Sequence, residues 1–184
     1  MEITVATNET TYAITLGQLK DFLKVDGGDE DALLSNLLIA AHDMVVQYTG
    51  RSLTTRTLDV YYDKWQSSFD LPYGPVQSIT HMKYYDTTGS EGTVNSSVYY
   101  LAPGNSTSYA EKYPGQTYPQ SILRGKGGIV LRYVTGYGDD PNDVPFLLRQ
   151  AVLQTAAAMY ENRETAELPP VAKNYADPLR VIIL

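Results

Sequence analysis

At 184 residues the chain is long enough to bury one sizeable core and leaves little room for a second domain of ordinary size. Hydrophobic residues at 43% and charged residues at 19% exclude a disordered chain, and the absence of cysteine excludes disulfides and thiolate metal sites. The 14 basic against 21 acidic residues give a formal charge of −7, the wrong sign for a protein that binds DNA by neutralising phosphates.

The first stretch, residues 1–52, reads as two helices. Residues 1–11 lack the basic-then-apolar pattern of a secretory signal, and no segment reaches the ~18 consecutive apolar residues of a membrane span, so synthesis in the cytoplasm is expected. Thr15 with Gln18 three positions on makes a capping box, and Leu16, Leu19, Phe22 and Leu23 supply one apolar face. Val25, Asp26, Gly27 and Gly28 break that helix. Asp29 is placed as the N-cap of the next, Glu30 and Asp31 suit the positive end of its dipole, and Gly50 suits a left-handed C-cap. Leu33, Leu34, Leu37, Leu38, Ala41, Met44, Val45 and Tyr48 form a stripe at helical period, the expected core face. Ile39 and Val46 project elsewhere and are candidate contacts for a neighbouring subunit.

Residues 53–140 lose helical periodicity and gain β-branched and aromatic residues between Gly, Pro, Asn and Ser, which predicts an inserted small antiparallel sheet. Its strands are expected at 55–62, 77–85, 98–101 and 128–135, with turns at 86–89 and 125–128. Between them, 103–120 reads as a long loop carrying Tyr109, Tyr113 and Tyr118, and a loop of that length is expected to touch a partner. The 16 tyrosines against 3 phenylalanines and 1 tryptophan fit two readings, half-buried interfaces and sheet edges.

Residues 141–167 follow as a long helix entered at Pro145, so apolar all round that it is expected to be buried on several sides. After the Leu168, Pro169, Pro170 break, residues 168–184 read as an extended arm. Its Tyr175, Leu179, Arg180, Val181, Ile182, Ile183 and Leu184 are candidate partner contacts, because four consecutive apolar residues at a free end are costly to leave in water. The predicted class is α+β, a small helical bundle with an inserted antiparallel sheet and a C-terminal arm, all within one connected domain.

No pattern argues for catalysis or a cofactor. The carboxylates at 26–31 lack the ligand spacing of a calcium loop and suit helix capping. Gly125, Lys126, Gly127 and Gly128 precede a strand where a phosphate loop would open a helix. His42 and His81 are read as ordinary surface or half-buried histidines outside any ligand group. No paired carboxylates or nucleophile elbow stand out.

Several segments in order resemble the phage head-tail connector family, the head-completion adaptors that continue the channel below the portal ring. They are Ile14, Thr15 and Leu16; Leu23 to Gly27 with Asp29, Glu30 and Asp31; Leu37 to Ala41; Tyr48 to Arg51; Pro75 to Ile79; Lys83 to Asp86; Thr135 to Gly138; Val144 and Pro145; and Tyr160 to Glu164. The chain departs from the family after Leu168 and Pro169, where a short helical segment and a final Pro-x-Arg-like ending would be usual, and in its longer tyrosine-rich loop. The resemblance implies a non-enzymatic structural protein without cofactor, in twelve copies as a homo-oligomeric ring in the virion neck between capsid and tail. It implies as partners the portal protein and the next neck or tail protein, of head-closure or tail-terminator type, with genomic DNA passing through the channel unbound. The arm is then expected to anchor the subunit to the portal by adding a strand. The rival reading is a tyrosine-rich carbohydrate- or ligand-binding module, against which stand the helices bracketing the sheet.

Overall fold

The computed structural model describes residues 1–104, 107–162 and 167–181. The chain has an α+β fold and divides into two units, one from Met1–Asn8 with Arg56–Gly136 and one from Glu9–Thr55 with Tyr137–Leu184.

The first unit is a sheet unit. Strand β1 (Glu2–Thr7) alternates Ile3 and Val5 with Glu2 and Thr4, a period-two pattern. Only helices are expected before Arg51. The structure adds a strand there because six residues gain their stability by pairing with β2 (Arg56–Tyr62), a partner that no local signal announces. β2 pairs with β8 (Ile129–Thr135), β8 with β4 (Val76–Tyr85) and β4 with β5 (Glu91–Thr93), so the five-stranded sheet has the order β1-β2-β8-β4-β5 with antiparallel neighbours throughout. The other strands, β3 (Ser68–Leu71), β6 (Tyr99–Ala102) and β7 (Ser108–Lys112), form a three-stranded sheet of order β3-β7-β6.

The one small sheet expected from the sequence is therefore two, and the loop expected at 103–120 contains β7. In β7 only Ala110 is buried, too weak an alternation to read without its neighbours. The two sheets share one core. Leu58, Val60, Met82, Ile129, Leu131 and Tyr133 meet Phe69, Leu71, Tyr99 and Ala110, alternate residues of their strands as the pleat requires. Two tyrosines bridge core to backbone: Tyr133 donates to the Pro72 carbonyl at 2.8 Å and Tyr62 to that of Asp70 at 2.6 Å. Burial raises both phenols above their ordinary pKa, which keeps them as neutral donors.

The second unit is helical. Helix α1 (Leu16–Leu23) opens on the expected capping box, with Gln18 N donating to Thr15 Oγ1 at 3.2 Å and Thr15 N to Gln18 Oε1 at 2.9 Å. Helix α2 (Asp31–Thr49) begins one residue later than the Asp29 cap implies, with Glu30 at the N-cap and no side-chain cap bond. It ends as expected, Gly50 turning left-handed and donating to Val46 O at 2.9 Å.

Helix α3 (Phe146–Glu161) buries Leu148, Ala151, Val152, Leu153, Thr155, Ala156 and Ala157, which cover most of its circumference. The all-round apolar pattern thus marks the central helix of this unit, packed on α2 and on α4 (Pro170–Ala176). The C-terminal segment is not the extended arm expected from the sequence. Residues 170–176 are helical and Asp177–Leu179 add a 3-10 turn, because Pro170 opens the helix and Ala172 and Ala176 are buried on its inner face.

Candidate assembly surfaces

The two units differ in charge. The sheet unit holds seven carboxylates and seven lysines or arginines, so the whole formal charge of −7 falls on the helical unit, fourteen acidic against seven basic. A protein surface of that sign repels nucleic-acid phosphate.

The buried face of α2 is Leu34, Leu38, Ala41, His42, Val45, Val46 and Thr49. Leu33, Leu37, Met44 and Tyr48, expected in the core, are half-buried or exposed on the flank of that face. The face is rotated because a histidine belongs to it. His42 is fully buried, which corrects the surface or half-buried reading. Its Nδ1 accepts from Ala13 N–H at 3.2 Å, and its Nε2 lies 3.3 Å from Glu9 Oε1. Tyr12 packs edge-on against the ring. Of the two expected interface residues on α2, Val46 is buried at 4% exposure and presents no surface. Ile39 is half-buried and lines an apolar concavity of about 260 Å³ with Ile14, Leu16 and Leu38.

The tyrosines of the 103–120 segment have three different fates. Tyr109 is half-buried in β7, opposite Asp70 and Ala102. Tyr113 is exposed, its ring tilted on that of Tyr100 at 4.6 Å. Tyr118 is buried in the shared core of the sheets, stacked on Trp65.

The C-terminal candidates are held in the helical unit. Tyr175 is half-buried on α4, the Leu179 carbonyl accepts from Arg51 Nε, and Val181 N–H donates to Thr49 O at 2.8 Å. Arg180 is exposed with its guanidinium 4.6 Å over the Tyr48 ring, and the Tyr48 hydroxyl donates to Asp177 Oδ1 at 2.5 Å. The acceptor bond to Asp177 is the largest cause that raises the Tyr48 pKa. Ile182, Ile183 and Leu184 lie outside the described residues.

On the face of the five-stranded sheet away from the core, Asp59, Arg132 and His81 form a row across neighbouring strands. Arg132 grips Asp59 bidentately, both nitrogens at 2.7 Å. Partial burial and the cations Lys83 and Arg132 lower the pKa of His81. The row is an ion pair beside an imidazole and contains no nucleophile aligned with a base. Beside it, a concavity of about 480 Å³ between β1 and the 124–127 turn mixes Glu2 and Asp63 with Arg124 and Lys126. Among the described residues no group of three His, Asp or Glu could hold a metal ion, and no helix is long and apolar enough to cross a membrane.

Residues 13–103 match the family model described as phage gp6-like head-tail connector protein. The chain is also similar in structure to a protein in the neck of an empty gene transfer agent particle computed with C6 symmetry, at a TM-score of 0.85 and 24% identity, covering 100% of this chain and 97% of that one. A chain in the virion of a native gene transfer agent particle matches at 0.85 and 25% identity with the same coverage. A third, in the neck of the native particle computed with C12 symmetry, matches at 0.83 and 24% with the same coverage. No curated protein matches the chain.

Proposed function

We propose, from the premise that this chain belongs to the phage head-tail connector family, that its copies form a ring in the virion neck which extends the DNA channel and joins head to tail. It is a structural virion protein, a head-tail adaptor. The observation that carries this reading is the likeness of the whole chain, at a TM-score of 0.85, to a protein of a particle's neck. Twelve copies fit the C12 symmetry of the native neck to which the chain is similar.

The physics of the chain supports assembly without catalysis. Phe22, Leu33, Phe146, Leu147 and Val171 leave apolar surface exposed on the helical unit, where a neighbour could cover it. Its acidic charge suits a channel past which DNA moves without sticking. The partners are the portal protein on one side and the next neck or tail protein on the other, with the two units acting as one connector subunit. Val181 is tied to the end of α2, so Ile182, Ile183 and Leu184 are the residues left to reach the portal. Ile39, Tyr109, Tyr113, Tyr175, Leu179 and Arg180 are the remaining contact candidates. A carbohydrate-binding module is disfavoured, since Tyr118 is buried and its stacking partner Trp65 is partly buried against the sheet core, where a sugar platform would stand open.

Electron microscopy of the protein mixed with portal rings tests the reading: a ring of this chain seated on the portal is expected, and its absence would end the proposal. Removal of residues 182–184 should abolish co-sedimentation with portal; unchanged binding would move the anchor elsewhere. Duplex DNA should bind weakly at physiological salt, and tight binding that falls steeply with salt would contradict passage without contact.

A further inference from the structure

The five-stranded sheet ends on two open edges that complement one another. Every neighbouring pair in the order β1-β2-β8-β4-β5 is antiparallel, so the outermost strands β1 and β5 run in the same direction. An edge strand leaves half its backbone donors and acceptors without a ladder partner, and soluble proteins normally blunt such edges with Lys, Pro or a cover. β1 contains neither Lys nor Pro and is exposed along its length except at Ile3.

The side chains at the two edges match as well. Ile3 and Val5 pair with Val60 and Leu58, whose side chains enter the core, so both point to the core side of the sheet. Met1 at 71% and Val5 at 49% exposure carry that apolar layer out past the last strand. On β5 the same side carries Gly92 alone. A Cβ there would meet Tyr84 Cζ at 2.2 Å, so the edge presents bare backbone beside an aromatic ring. Behind Tyr84 the wall continues into Trp65, 5.8 Å away edge-on. An apolar side chain offered by an adjacent strand would lie on Tyr84 without displacing anything.

We propose that β1 of one copy pairs in parallel with β5 of the next copy, so that each subunit supplies one edge and receives the other. The inference rests on the ring reading above and names the contact that builds it. A ring uses two different patches of each subunit, and rotation about its axis keeps strand directions alike, which is the relation of β1 to β5. The contact lies on the unit without net charge. Copies can approach there free of the repulsion that the helical units, each at −7, would feel within the ~8 Å Debye length of physiological salt. The three residues of β5 keep the pairing short, so neighbours can pivot until the ring closes.

The chain contains no cysteine, which makes the contact directly testable. Thr4 and Thr93 are exposed, and both lie on the sheet face away from the core. Paired strands lie ~4.8 Å apart, within the Cα separation a disulfide spans. Rings of the Thr4→Cys, Thr93→Cys chain are oxidised, or treated with a short bismaleimide that tolerates a shift of register, and run on a denaturing gel. A ladder of covalent multimers is expected from the double variant and none from either single variant. Val5→Lys, at an exposed edge position, is expected to weaken ring assembly at least tenfold. Rings that form without a ladder, and form as readily with Val5→Lys, overturn the edge contact and leave the ring standing. If microscopy shows no ring at all, the reading under Proposed function falls and the edge contact with it.

Discussion

The ring of Tyr118 lies flat on the indole of Trp65, centroids 4.5 Å apart and planes 11° from parallel. The pair closes the aromatic side of the sheet core, yet neither the Tyr118 hydroxyl nor Trp65 Nε1 has a hydrogen-bond partner among the described residues. Burial pushes the Tyr118 phenol up to about 12. Tyr118→Phe removes an unsatisfied polar atom and keeps the stack, so it is expected to raise stability by about 1 kcal/mol in urea denaturation. A loss of similar size would show that the hydroxyl is satisfied.

His42 is buried between Ala13 N–H and the Glu9 carboxylate. His42→Ala would leave a cavity and an orphaned Ala13 amide, and should cost about 2–4 kcal/mol. Thermal denaturation checks this, and a cost under about 1 kcal/mol would mean that the 9–14 segment does not depend on the histidine.

The Asp59–Arg132 pair is asymmetric: the Asp59 side chain is 9% exposed and that of Arg132 40%. Removing the arginine strands a buried carboxylate, whereas removing the acid leaves a guanidinium that water can reach. Arg132→Met should therefore cost about 1 kcal/mol more than Asp59→Asn, a modest difference because the exposed head is screened. Equal costs in chemical denaturation would contradict the asymmetry.

At the β4–β5 hairpin, the hydrogen bond from Lys83 holds the Glu91 carboxyl below its ordinary pKa, and Thr88 does the same for Asp86. A depressed native pKa gives stability that is fully present above the unfolded value and lost as pH falls through the native one. Hydrogen exchange at the Val94 amide, which donates to Met82 O, should therefore be slow near neutrality and accelerate in acid below the usual carboxylate range. Glu91→Gln should remove most of that acid dependence, and an unchanged profile would place it elsewhere.

Loss of residues 170–184 is expected to lower the melting temperature by several degrees, because Ala172 and Ala176 are buried and Tyr48 loses Asp177 and Arg180. Loss of residues 182–184 alone should leave the melt of the free subunit unchanged.

Features held by neighbours along the chain were legible. The Thr15 and Gln18 box and the Gly50 cap involve groups a few residues apart, so their chemistry is written locally. The strands at 56–62, 76–85, 99–102 and 129–135 carry enough β-branched and aromatic residues to stand out. The tyrosine excess left interface and sheet readings open. In the structure Tyr62, Tyr85, Tyr100 and Tyr133 turn their hydroxyls to partners within the sheet unit, and Tyr113 is exposed. Short strands such as β1 and β7 were illegible because β1 is held by a partner 50 or more residues away and β7 alternates too weakly to read without its partners β3 and β6.

Of the candidate site, Ile39 and Tyr113 keep accessible surface, whereas Val46 and Tyr118 are covered. Their residue types did not distinguish them, since an apolar side chain is equally suited to a core and to an interface.

By itself the amino-acid order determined the helix ends, the sheet-forming middle, the buried third helix and the kinship with head-tail connectors, since all of these are patterns of period, cap and spacing. Tertiary structure alone decided which face of α2 turns inward, that the 170–179 segment folds back as helix, and that the first seven residues make an open sheet edge. Those outcomes depend on which surfaces meet, and burial is a property of pairs of surfaces that a single segment does not carry.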